Sequence, residues 1–114
     1  MTYKRGDVVL VAFPNRDGLT VKRRPALVLQ SNSLADRLST VVVAAISSRT
    51  DLKGPTRIFV SRESPEGRSA GLIQDSQIFV DELRSITNWQ AVRVLGRFPA
   101  MGEVDSALRL LFAL

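Results

Sequence analysis

Lys22-Arg23-Arg24-Pro25-Ala26-Leu27-Val28-Leu29-Gln30 holds three consecutive cations, a proline and then an apolar run of β type. Proline has no N–H to give a sheet and fits the first residue of a strand. The stretch therefore predicts a strand over 25–30, with Ala26–Gln30 in the core and the cations on the loop leading into it. A residue before proline is held extended, which fixes Arg24 at the mouth of a rigid element. A guanidinium held there can fork onto a phosphate or a carboxylate. Charge alone does not separate that use from a solvated basic loop beside an edge strand.

Upstream, Val8–Phe13 is Val-rich and too short for a helix, so it reads as another strand. Pro14-Asn15-Arg16-Asp17-Gly18 ends it with turn formers. The connecting loop, 15–23, carries few large apolar residues and suits a mobile, ligand-facing segment. Downstream, Ser33 has capping-box spacing to Asp36 before a loop or helical turn. Thr40–Ile46, with three consecutive valines, predicts a buried central strand that ends at Ser47-Ser48. Further strands are expected over Thr56–Val60, Gln77–Val80 and Arg93–Phe98, with a turn-rich loop at Glu63–Gly67 and a turn at Trp89–Val92 capped by Thr87 or Asn88. Val104, Ala107, Leu108, Leu111 and Phe112 make one apolar stripe of a final helix. Glu103 and Asp105 near its start and Arg109 toward its end suit the helix dipole. Several short strands followed by a helix predict a small curled antiparallel sheet or barrel, mainly β, with the helix packed on the sheet or against a second copy. The apolar end Leu110-Leu111-Phe112-Ala113-Leu114 leaves surface for a homodimer.

The 114 residues are enough for one core and too few for two, so one domain over 1–114 is expected. No run approaches the roughly 18 apolar residues of a membrane span. The first residues lack the apolar segment of a signal peptide, so a cytoplasmic, membrane-free protein is expected. Without cysteine there are no disulfides or thiolate metal sites, and without histidine every mechanism based on that residue is excluded. No metal or other cofactor is expected. The net charge is +5, and residues 1–30 hold six cations against two acids. That asymmetry attracts a polyanion, either nucleic acid or an acidic protein.

Several segments together carry a family pattern. They are Gly6-Asp7-Val8-Val9-Leu10-Val11-Ala12-Phe13-Pro14, the stretch 22–29, Ala45-Ile46-Ser47-Ser48, Gly71-Leu72, Asp75-Ser76, Leu83-Arg84-Ser85-Ile86 and Leu95-Gly96-Arg97 before the helix. In this order, over nearly the whole length, the chain resembles the MazF/PemK toxins of type II toxin–antitoxin pairs. The resemblance implies a small SH3-like β-barrel of the plasmid-maintenance-toxin type that forms homodimers. It also implies metal-independent, sequence-specific cleavage of single-stranded RNA, including mRNA, and a cognate antitoxin that occludes the site. The family's catalytic arginine falls on Arg24 and its catalytic hydroxyl on Ser47. Where many members read Glu-Gln-Ile-Arg-Thr, this chain reads Asp81-Glu82-Leu83-Arg84-Ser85.

Such a reaction uses the RNA's own 2′-hydroxyl as nucleophile and leaves a 2′,3′-cyclic phosphate (or 3′-phosphate) and a 5′-hydroxyl. Arg24 suits the charge that builds on phosphorus. Ser47 suits a hydrogen bond to a phosphate oxygen, or a proton relay, if it is not simply bonding its own backbone. Asp81 is the first candidate for the base, against a structural ion pair. Lys22 and Arg23 would steer phosphates. Phe13 and Trp89 can stack on bases, although a Trp placed as Trp89 is beside Val92 is more often core. Asn15, Arg16 and Asp17 can read base edges or form a plain turn. Ser48 and Arg84, in the resembling segments, complete the expected RNA contacts. Two alternatives stay open on the same fold: a gyrase-binding toxin, and an inactive paralogue that binds RNA or antitoxin.

Overall fold

The computed structural model describes residues 3–114. Six strands form one antiparallel sheet: β1 (Asp7–Pro14), β2 (Val21–Val28), β3 (Thr40–Ser47), β4 (Arg57–Val60), β5 (Ser76–Thr87) and β6 (Ala91–Arg97). Their order is β4-β5-β3-β2-β1-β6. Two helices, α1 (Pro65–Ser69) and α2 (Met101–Phe112), complete the chain. The expected mainly-β class with a C-terminal helix holds. Of the expected curled sheet or barrel, the sheet is the closer description, because β4 and β6 are its two edges and do not pair with each other.

Curling explains why the strands are apolar on both faces. Val8, Leu27, Ala44, Ile46, Ile78 and Val80 pack with Phe98, Val104 and Ala107 in a core covered by α2. Val9, Val11, Ala26, Val28, Val43 and Ile86 form a second core on the opposite face with Tyr3 and Ala91. A strand that meets a core on each side shows a continuous apolar run instead of alternation, as Val8–Val11 and Val41–Ile46 do. Arg5 ties α2 down: its Nε donates to the Leu29 carbonyl at 2.9 Å and its Nη2 pairs with Asp105 at 2.6 Å. The apolar stripe of α2 is divided. Val104 and Ala107 are buried, whereas Phe112 is 53% exposed.

β2 departs most usefully from expectation. It begins at Val21, so Lys22, Arg23 and Arg24 lie on the strand itself, paired with Phe13, Ala12 and Val11 of β1. Pro25 is therefore inside the strand, opposite Leu10. It is tolerated because of which neighbour it faces. The Leu29 N–H donates to Val42 of β3, while the Val28 carbonyl accepts from Gly6 on the β1 side. Alternation then turns the Pro25 nitrogen toward β3, and the β2–β3 ladder stops at Ala26↔Ala45, one residue short of it. The proline ends that ladder and leaves β2 and β3 free to part.

Other differences are local. Glu63–Gly67 is not a loop throughout: Ser64 caps α1, accepting from the Gly67 N–H at 3.0 Å, with Pro65 in the first turn. Ser31, not Ser33, caps the 3₁₀ turn Asn32–Leu34. The expected strand at Gln77–Val80 is the start of the twelve-residue β5, which continues past a bulge. The capped turn after β5 is a 3₁₀ turn over Asn88–Gln90. Trp89 there is 79% exposed and belongs to neither core.

Candidate functional site

Beyond Ala26↔Ala45 the next residues on that same face are Arg24 and Ser47, two positions along each strand. Extending the register sets them opposite each other where the ladder has ended. Both also line two adjoining cavities, of about 360 and 230 Å3, which share Arg24, Pro25, Ile46 and Ser47. Pro25 thus ends the pairing at the cleft that Arg24 lines.

The larger cavity adds Lys22, Arg23 and Arg93 as cations, Ser48, and the backbone run Gly71–Gln74 that follows α1. The smaller adds Phe13, Phe79, Leu52, Arg49 and Glu82. The Arg84 guanidinium sits 5.8 Å from the Phe13 ring centroid, which makes a cation–aromatic platform beside the second cavity. The hydroxyl of Ser47 accepts from the Arg49 N–H at 3.1 Å. This fixes the oxygen and leaves the hydroxyl proton free to be donated. Buried Gln77, with its amide nitrogen turned to the carbonyls of Arg49 and Leu52 (3.1 and 3.0 Å), pins the segment that walls the second cavity.

Three expected residues fall outside the cleft. Asn15, Arg16 and Asp17 form the β1–β2 hairpin loop. Asp17 accepts from the N–H groups of Leu19 and Thr20 and from the Thr20 hydroxyl at 2.8–3.0 Å. The Asn15 amide donates to the same hydroxyl. The Leu19 and Thr20 amides, with that hydroxyl, hold the Asp17 carboxyl below its usual range. The loop is short and internally bonded, the plain turn expected as the alternative to base contacts, and residues 21–23 of the expected 15–23 loop lie on β2.

Asp81 also lies away from the cavities. Its carboxylate takes Nε and Nη2 of Arg57 at 3.3 and 3.0 Å and the Thr56 hydroxyl at 3.2 Å. The Arg57 guanidinium in turn lies over the Phe79 ring, 4.5 Å from its centroid. The hydrogen bonds from Arg57 keep the Asp81 carboxyl below the usual carboxylate range. That is the setting of a structural ion pair and not of a proton acceptor. A depressed folded pKa contributes stability that is complete above the unfolded value and fades as pH falls through the folded one. Asp81→Asn should therefore be less stable than wild type at neutral pH. The gap should close as pH drops below about 4, as read from thermal melts across pH. A constant gap would contradict the pairing.

Glu82, Arg49, Phe79, Arg93 and the 71–74 segment belong to the cleft although strand patterning does not mark them. Arg93 and Gly71 arrive from β6 and the end of α1, distant in sequence and adjacent only through the sheet order. Among the described residues, no three His, Cys, Asp or Glu side chains are grouped so as to hold a metal ion.

This six-stranded sheet with its C-terminal helix recurs in known proteins. Residues 4–112 match the family described as the PemK-like, MazF-like toxin of type II toxin–antitoxin systems. The chain is 36% identical over 92 residues to endoribonuclease MazF6 of Mycobacterium tuberculosis and to endoribonuclease MazF2 of Mycobacterium bovis, covering 77% of this chain and 76% of each relative. The M. tuberculosis toxin MazF-mt6 superposes with a TM-score of 0.75 at 24% identity, covering 95% of this chain and 97% of that one. MazF in a MazE–MazF crystal structure from Deinococcus radiodurans gives 0.78 at 21% identity, covering 100% and 98%. With the family match spanning almost every residue and the fold agreeing over the full length, this chain belongs to the PemK-like, MazF-like toxins of type II toxin–antitoxin systems.

Proposed function

We propose that the chain is an endoribonuclease toxin that cuts single-stranded RNA, including mRNA, at the cleft between β2 and β3. One observation carries this reading: Arg24 and Ser47 meet where Pro25 ends the ladder, and both line both cavities. RNA supplies its own nucleophile, so the protein must hold the strand in line and neutralise charge at phosphorus. Arg24 reaches that charge from a fixed strand, and Ser47, its oxygen anchored by Arg49, donates to a phosphate oxygen. Lys22, Arg23 and Ser48 guide the backbone on one side. Phe13 with Arg84 offers a stacking surface on the other. Arg16, exposed on the hairpin loop, is left to contact the strand by charge alone.

The relatives include an endoribonuclease solved in complex with its cognate antitoxin and MazF solved with MazE. This chain is accordingly assigned an antitoxin partner, with the basic β2 face as its electrostatic target. It is assigned homodimerisation through the exposed apolar surface of α2 and β6, where Leu110, Phe112, Val92 and Val94 are open. The site of action is the cytoplasm. No helix among the described residues is long and apolar enough to cross a membrane.

The test is incubation of purified protein with a long single-stranded RNA in EDTA. Discrete fragments with 5′-hydroxyl ends are expected. No cleavage by the folded protein would reject the nuclease reading, and DNA gyrase inhibition would then be measured.

A further inference from the structure

The nuclease reading needs a proton acceptor for the 2′-hydroxyl, and the chain has no histidine or cysteine to provide one. Asp81 is taken up by Arg57 and Thr56. The two cavities that share Arg24 and Ser47 have one acidic residue on their walls, Glu82. Its position follows from the β5 bulge. Pairing with β3 jumps from Ala44↔Leu83 to Ala45↔Phe79, which takes residues 80–82 out of the ladder. A bulge re-aims side chains, and this one separates two neighbouring acids: Asp81 is bound to Arg57, while Glu82 borders the cleft. Among the described residues no hydrogen-bond or ion-pair partner engages Glu82, so both its oxygens are open to accept. The charged groups around it are Arg24 from β2, Arg49 after β3, Arg57 from β4, and Asp81 and Arg84 on β5 itself.

Resting on the nuclease reading, we propose that Glu82 is the general base of this enzyme. Its carboxylate takes the proton from the 2′-hydroxyl as the 2′-oxygen forms its bond to phosphorus. The P–O5′ bond breaks, and the 5′-oxygen keeps that electron pair and takes a proton from water in the open cleft. The products are a 2′,3′-cyclic phosphate and a 5′-hydroxyl, and Glu82 returns its proton to solvent. Arg24 stays protonated throughout and acts on charge alone, so acceptor and charge stabiliser are separate groups on separate strands.

Single-turnover cleavage of a single-stranded RNA is measured across pH for wild type, Glu82→Gln, Glu82→Asp and, as a charge-matched control on α2, Glu103→Gln. Glu82→Gln is expected to cleave about 100- to 10,000-fold more slowly at neutral pH. It should also lose the acid limb of the wild-type profile while still binding the RNA. Glu82→Asp should fall between the two and keep the acid limb, and Glu103→Gln should match wild type. Glu82 is exposed, so its substitution leaves both cores intact, and a melt confirms the fold. Wild-type rate and profile in Glu82→Gln would overturn the proposal, as would an unchanged rate with a new cut sequence, which would make Glu82 a reader of bases. A wild type that cleaves nothing would overturn the nuclease reading itself and this proposal with it.

Discussion

Arg24→Ala lowers the rate of RNA cleavage by about 100- to 1000-fold, the effect of removing one well-aimed donor at developing charge. The side chain is exposed, and the β1–β2 ladder that carries it uses backbone groups, so the variant folds. Lys22, Arg23 and Arg84 remain to hold the strand, so affinity falls far less than rate. Arg24→Lys keeps a charge and loses the planar fork, and recovers part of the rate. Binding and single-turnover cleavage measured separately decide the point. A collapse of affinity with an unchanged rate on bound RNA would reduce Arg24 to a phosphate-steering residue.

Gly71→Ala is the largest expected loss of stability near the cleft. Gly71 has φ +72°, in the left-handed region, where a side chain costs about 1–2 kcal/mol. An added Cβ would also overlap the Leu95 carbonyl oxygen, which is backbone and cannot swing aside. Overpacking adds about 1–3 kcal/mol, so the sum is about 2–5 kcal/mol. That lowers Tm by roughly 10–20 °C for a domain of this size. Because Gly71 lines the larger cavity, activity falls with stability. Gly96 nearby has the same role from the other side, since a Cβ there would overlap Ser69 and Ala70. The pair sets how closely the end of α1 approaches β6. An unchanged melting curve for Gly71→Ala would mean that this approach is looser than the structure has it.

Much of the fold was legible because strand and helix periods are local signals. The valine runs at Val8–Val11 and Val41–Val43 became β1 and β3, and the stripe from Val104 became α2. Pro25 was read through its missing N–H, and that chemistry was right. Its consequence differed: the proline ends pairing on one side of β2 while β1 still pairs on the other, so the strand begins at Val21. Which neighbour a residue faces depends on sheet order, and no short stretch of sequence carries that. Arg24 and Ser47 were found by resemblance and meet in the cleft. Asp81 alone was read as a candidate base and Glu82 was not, because adjacent acids look alike until a bulge sends them to different neighbours. In the hairpin loop 15–20 the sequence allowed base contacts or a plain turn, and the bonds among Asn15, Asp17 and Thr20 form the turn.

The central claim is that this cleft cuts RNA by attack of the RNA's own 2′-hydroxyl. Its most direct measurement is the incubation in EDTA run on two matched single strands that differ by one 2′-deoxy nucleotide at the cut. The all-ribose strand should be cleaved to a 5′-hydroxyl fragment, and the 2′-deoxy strand should stay intact at that position. Equal cleavage of both strands, or of neither, would contradict the account.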